Sequence, residues 1–118
     1  MSEQPTHLSV REQNGVHVVE FSDRKILEEL SISEIGEEFS SLVQDRQGIK
    51  LLVSFRNVEH LSSAALGMLI TLNRQIDEND GSLKLSDIAP PIFEVFKITR
   101  LNKLFDIYDK VEDALNMF

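Results

Sequence analysis

The sequence predicts an α/β domain: a mostly parallel mixed sheet that opens with a β-hairpin and carries helices packed on it. Three observations lead there. Asn14-Gly15 separates two short runs in which Leu8, Val10, Val16, Val18 and Phe21 alternate with polar residues, a strong hairpin signal because both turn residues tolerate positive φ. Beyond it, apolar residues fall at helical spacing over 31–46 and 63–79. Between and after these helices lie short β-prone runs such as "IKLLVSF". Strands that alternate with helices pair in parallel through right-handed crossovers, so only the first strand runs antiparallel, at an edge. The predicted order is β-β-α-β-α-β-α-β-α.

The hairpin strands are expected near 7–12 and 16–22. In the first helix Ile32, Ile35, Phe39, Leu42 and Val43 share a face, and Ser31 with Glu34 has the S-x-x-E form of a capping box. Gly36 is unfavourable inside a helix and suggests a close packing contact. Gly48 ends this unit, and a buried strand is expected over 49–55. The second helix, 63–79, buries Ala65, Leu69, Leu72 and Ile76, with Leu66 and Ile70 widening the stripe and Arg74, Gln75, Asp77 and Glu78 facing out. Asn79-Asp80-Gly81 stops it. "SLKLSDI" reads as a strand, Pro90-Pro91 opens a short helix, and "KLFDIY" reads as the last strand. Asp109 with Glu112 then starts a final helix bearing Val111, Ala114, Leu115 and Phe118.

At 118 residues the chain is one domain. We place it at 7–118, with 1–6 as a short flexible tail. It has no cysteine, which excludes disulfides, thiolate metal sites and a cysteine nucleophile. The start lacks the basic and apolar pattern of a signal peptide. No run approaches the roughly 18 apolar residues of a membrane span. These features predict a soluble, cytoplasmic protein. Twelve basic against twenty acidic residues give a net charge of −8, which argues against nucleic acid as a direct partner, since phosphates need clustered cations.

The segment "HLSSAALGMLI", 60–70, carries the chain from the carboxyl end of a strand into a helix. That edge is the usual place for functional groups in such sheets. A serine there is a good N-cap. A phosphate there would also be stabilised, by the free N–H groups and the helix dipole. The local pattern is compatible with both uses.

The wider pattern resembles the STAS family, the anti-sigma factor antagonists with their stressosome and transporter relatives. That family's D-S-x-G-L-G motif is matched by Ser62-Ser63-Ala64-Ala65-Leu66-Gly67, and "GSLKLSDIAPPIFEVFKITRLNKLFDIY" follows its later strand, helix and turn. The resemblance implies a STAS-like single domain that binds partners and is not an enzyme. It implies Ser63 as phosphoacceptor, with Ser62 as the fallback, and a contact surface of Ser62, Ser63, Ala64, Ala65 and Gly67. The implied partners are an anti-sigma factor with kinase activity and a serine phosphatase, with room for a weak homodimer. No cofactor is implied, ATP belonging to the kinase. Two motif positions depart: Ser62 replaces the acidic residue and Ala65 the first glycine. The early G-x-L-D signature is also missing, with Ser22-Asp23-Arg24-Lys25-Ile26-Leu27 in its place. A non-phosphorylated stressosome-type scaffold and a ligand-sensing module are the alternatives.

Other chemistry has little support in the residues. His60 precedes Ser63 by three, yet the G-x-S-x-G elbow of a hydrolase is missing, and His7, His17 and His60 form no recognisable relay or metal pattern. His17 is expected to be a solvated or edge side chain. Asp77, Glu78 and Asp80 lack the spacing of a calcium loop and read as a solvated helix end. The G-x-x-x-x-G-K phosphate loop is absent. Phe93, Val95, Phe96 and Ile98 read as core in preference to a docking cluster. Thr99, in a turn, is a second candidate phosphoacceptor.

Overall fold

The computed structural model describes residues 7–118; the expected tail, 1–6, lies outside them. Strand β1 (Leu8–Gln13) turns into β2 (Val16–Phe21) through Asn14 and Gly15, whose φ angles are 56° and 79°. The two strands pair antiparallel. After the two-residue strand β3 (Lys25–Ile26) come α1 (Glu29–Val43), β4 (Lys50–Ser54), the two-residue strand β5 (His60–Leu61) and α2 (Ser63–Glu78). Strand β6 (Ser82–Ser86), α3 (Pro90–Ile98), a 3-10 turn (Leu101–Lys103), β7 (Asp106–Tyr108) and α4 (Val111–Leu115) complete the chain. The main sheet has the order β1-β2-β4-β6-β7, and every pair after the hairpin is parallel. The expected class and the edge position of β1 both hold.

Alternation along the strands divides the interior. Val19, Phe21, Leu51, Val53 and Leu85 face α1, α2 and α3, and they pack with Ile35, Phe39, Leu69, Leu72 and Phe96 in one core. Phe39, Phe21, Phe55, Phe96 and Phe105 touch in series through it, with ring centroids 5.2 to 6.4 Å apart, a favourable range for tilted and edge-on rings. Val16, Val18 and Leu52 face the other way, onto Ala114 of α4. Lys84 on that face is 9% exposed. Its ammonium lies 3.3 Å from Asp106 and 5.5 and 5.1 Å from the Tyr108 and Phe118 rings, so ion pairing and cation–π attraction offset its burial.

Several local expectations are corrected. Helix α1 begins at Glu29, after Glu28 and without a side-chain cap bond. The Ser31–Glu34 capping box does not form, because Ser31 is already inside the helix and Glu34 bonds His7 instead. The helix ends at Val43, short of 46, and Asp45 is left-handed with φ 67°. The linker 56–62 is not plain loop, since β5 pairs in parallel with β3. "KLFDIY" forms a strand only over its last three residues. Helix α4 follows Lys110, with no capping bond from Asp109.

Gly36 is not sterically required: a Cβ there would lie 3.5 Å from the Met68 side chain, an ordinary contact. The demanding glycine is Gly81, where a Cβ would stand 2.5 Å from the Ile49 carbonyl oxygen. Ile70 is 40% exposed and does not widen the buried stripe of α2, and Gln75 hydrogen-bonds Ser40 of α1 in place of facing out. In α3 only Phe96 of the four apolar residues is core; Val95 and Ile98 are 40% and 78% exposed and Phe93 is intermediate. His17 is neither edge nor fully solvated: β2 lies inside the sheet and its Nδ1 is buried without a hydrogen-bond partner among the described residues.

Candidate functional site

Because β2, β4 and β6 are parallel, their carboxyl ends gather at one edge, where the loops into α1, α2 and α3 also lie. From the end of β4 the chain runs through 55–59 into β5. The 24–26 segment holds that stretch by backbone bonds: Glu59 and His60 N–H donate to the Arg24 carbonyl (2.7 and 3.2 Å), and Ser62 N–H donates to the Ile26 carbonyl (3.1 Å). The turn that launches α2 is therefore fixed from outside the helix.

At that turn the two serines have different duties. Ser62 is the N-cap, extended at φ −87° and ψ 167°, and its hydroxyl accepts from the Ala65 N–H at 3.2 Å. Its carbonyl accepts from the Leu66 N–H at 3.2 Å. Ser63 is the first helical residue and is exposed. The cap thus satisfies the third N–H of the helix and leaves those of Ser63 and Ala64 outside the intrahelical ladder, as at any helix start. A negative group on Ser63 would sit at the positive end of a sixteen-residue helix.

Of the expected contact residues, Ser63, Ala64 and Gly67 are exposed and Ser62 is partly so. Ala65 is 0% exposed and packs into the main core, so it supports the surface from beneath and is not part of it. Gly67 faces open space. Beside it, Ala64, Gly67, Met68 and Thr71 of α2 face Ser33 and Gly36 of α1 across an open groove of about 670 Å³.

The other candidates separate. Thr99 closes α3 and its hydroxyl donates to the Val95 carbonyl at 2.7 Å, an engaged group. His60 is exposed and lies across from Lys25 in the β3–β5 pair. Asp77, Glu78 and Asp80 are exposed at the far end of α2. Among the described residues no group of three or more His, Asp or Glu side chains is arranged to hold a metal ion. No helix among them is long and apolar enough to cross a membrane.

Two clusters at this edge escape sequence reasoning. Ser54 and Ser86, both 0% exposed, donate to the Asp87 carboxylate at 3.2 and 2.8 Å. His7 is not isolated: its Nδ1 lies 2.7 Å from Asp23 and its Nε2 2.8 Å from Glu34. Hydrogen bonding to Glu34 and then to Asp23, with the Asp23 and Glu38 charges, raises the His7 pKa above its ordinary 6.5 against the opposing effect of burial. Sequence separations of 16 and 27 residues hide these contacts, and no local motif announces them.

An exposed serine at the first position of a helix, on the carboxyl edge of this strand order, coincides with a match of residues 7–114 to the STAS domain family. The chain belongs to the STAS domain family. This STAS domain is 23% identical over 108 residues to the anti-sigma F factor antagonist of Paenibacillus polymyxa, covering 92% of this chain and 91% of that protein. It is 30% identical over 69 residues to the anti-sigma-B factor antagonist of Bacillus subtilis (strain 168), covering 58% and 63%. Among solved structures it resembles a STAS domain protein from Planctomyces limnophilus with a TM-score of 0.82 and 23% identity, over 93% of this chain and 96% of that one.

Proposed function

We propose that the chain is an anti-sigma factor antagonist, a cytoplasmic binding module whose docking is controlled by phosphorylation of Ser63. In this reading the unmodified surface of Ser63, Ala64 and Gly67 binds a kinase-type anti-sigma factor, which then releases its sigma factor. The kinase binds ATP and transfers its γ-phosphoryl group to the Ser63 Oγ, which gives up its proton as the bond to ADP breaks and ADP leaves. The phosphate adds about −1.5 to −2 charges to a surface that docking must desolvate. About 1.4 kcal/mol is tenfold in affinity, so one modification is enough to release the partner, and a serine phosphatase resets the switch.

The observation that carries the reading is the division of labour between the serines. Ser62 holds the helix cap through its own hydroxyl, and the neighbouring residue Ser63, which is exposed, is left outside that bond for a kinase to reach. The names of the relatives support the partner class.

The test is incubation of the full chain with a kinase-type anti-sigma factor and ATP, followed by mass mapping. The expected result is one phosphate at residue 63, absent in Ser63→Ala, with Ser63→Asp binding at least tenfold more weakly. Modification at residue 62 would transfer the role to the fallback serine. Tight binding without transfer, insensitive to Ser63→Asp, would overturn the switch and leave a stressosome-type scaffold.

A further inference from the structure

We propose that His7 is a positioning residue for the Ser62–Ser63 turn: its imidazolium, gripped between Asp23 and Glu34, fixes the 22–26 segment from which that turn hangs. The contacts run without a gap. The His7 carbonyl accepts from the Ser22 N–H at 2.8 Å, and its ring meets Asp23 at 2.7 Å. One residue on, the Arg24 carbonyl holds Glu59 and His60, and the Ile26 carbonyl holds the Ser62 N–H. From the other side Glu34 of α1 takes the second ring nitrogen at 2.8 Å, while the Glu38 carboxylate accepts from the His7 N–H at 3.0 Å and the Leu8 N–H at 3.3 Å.

The charge state follows from the donor count. Both ring nitrogens face carboxylates, and only the imidazolium has two N–H groups to donate. The His7 side chain is 15% exposed, while those of Asp23 and Glu34 are 30% and 49% exposed, so a carboxylate that loses its ring N–H can turn to water. The groups that face it are Asp23 from the β2–β3 loop and Glu34 and Glu38 from α1. Loss of the proton would set an acceptor against an acceptor at one nitrogen and leave three carboxylates around a neutral ring. Asp23 or Glu34 must then swing away, and Asp23 is one residue from the carbonyl that anchors Glu59 and His60. Because the folded pKa lies above 6.5, the clamp is fully engaged below 6.5 and is lost as pH rises through the folded value.

The bearing of this clamp on partner switching rests on the reading of Ser63 given above; the clamp itself does not. The clamp is tested on the full chain by NMR, in a His60→Gln background that removes the other imidazole next to the turn. The expected result is a His7 ring midpoint above 6.5, with the Ser62 and Ser63 amide signals moving at the same midpoint. In His7→Gln those amides stay still over the same range. Asp23→Asn, which removes one carboxylate and keeps the shape, lowers both midpoints together and serves if His7→Gln does not fold. A His7 midpoint at or below 6.5, or amides that ignore the His7 titration, would overturn the proposal. These readouts need no partner, so they stand or fall separately from phosphorylation of Ser63, whose rate under the kinase should fall as pH passes the shared midpoint.

Discussion

Helices α1 and α2 are near twins in plan. They have 15 and 16 residues, both leave the carboxyl edge, both pack on the same core, and each has serines near its start and one internal glycine. Their starts nevertheless differ. Helix α2 is closed by the Ser62 hydroxyl on the Ala65 N–H, whereas α1 starts after Glu28 with no side-chain cap. The polar side chains of α1 go to tertiary partners, Glu34 and Glu38 to the His7 region. In α2 the cap is local, so the next residue is released from structural duty. That difference puts the candidate phosphoacceptor on α2 and the clamp for its turn on α1.

The largest effect that breaks the likeness lies in the leucines. Leu69 of α2 is 0% exposed and Leu30 of α1 is 71% exposed. Leu69→Ala should cost about 2–5 kcal/mol of unfolding free energy through lost burial and a cavity. Leu30→Ala should stay within about 0.5 kcal/mol. Urea unfolding of both variants measures the gap. Equal losses would mean that Leu30 has a burial partner the described residues do not give it.

A smaller effect sharpens the comparison at the caps. Ser62→Ala removes the acceptor for the Ala65 N–H and should cost about 1 kcal/mol. Ser31→Ala, inside α1, removes no capping bond and should change stability by less than about 0.5 kcal/mol. Thermal or chemical denaturation of the pair decides it. Similar costs at both positions would restore the capping box that the sequence suggests and the structure lacks.

That false box shows where the sequence is legible. Residues whose duty is local or periodic read correctly: Ile32, Ile35, Phe39 and Val43 are buried at helical spacing, as are Ala65, Leu69, Leu72 and Ile76. The hairpin at Asn14-Gly15 and the start of α2 at Ser63 read correctly for the same reason. Glu34 does not, because its carboxylate had a nearby serine in sequence and a better partner, His7, 27 residues away. Strands β3 and β5 have two residues each, too few to show any period, yet they set the position of the Ser62 turn. Ile70, Val95 and Ile98 are apolar at plausible core spacing but lie exposed, since only the packed neighbour decides which apolar residues a helix edge buries. At the start of α2, the placement of Ser63 was legible and the supports of its turn were not.

The finest difference concerns the two helix glycines. A Cβ at Gly36 would touch the Met68 side chain at 3.5 Å, and one at Gly67 would meet nothing within 4 Å among the described residues. Neither position resists alanine, so both substitutions should stabilise, by up to about 1 kcal/mol from helix propensity. They should part on function. Gly67 is exposed one turn beyond Ser63, in the surface proposed to dock the kinase, and a methyl there intrudes on a close-fitting partner. Gly67→Ala should therefore raise the melting temperature by a few degrees while weakening partner binding, with Gly36→Ala raising it without that loss. A partner that bound both variants like the parent would move the docking surface off this face of α2, because a fold improved by a methyl yet indifferent to it in the complex has nothing packed against that spot.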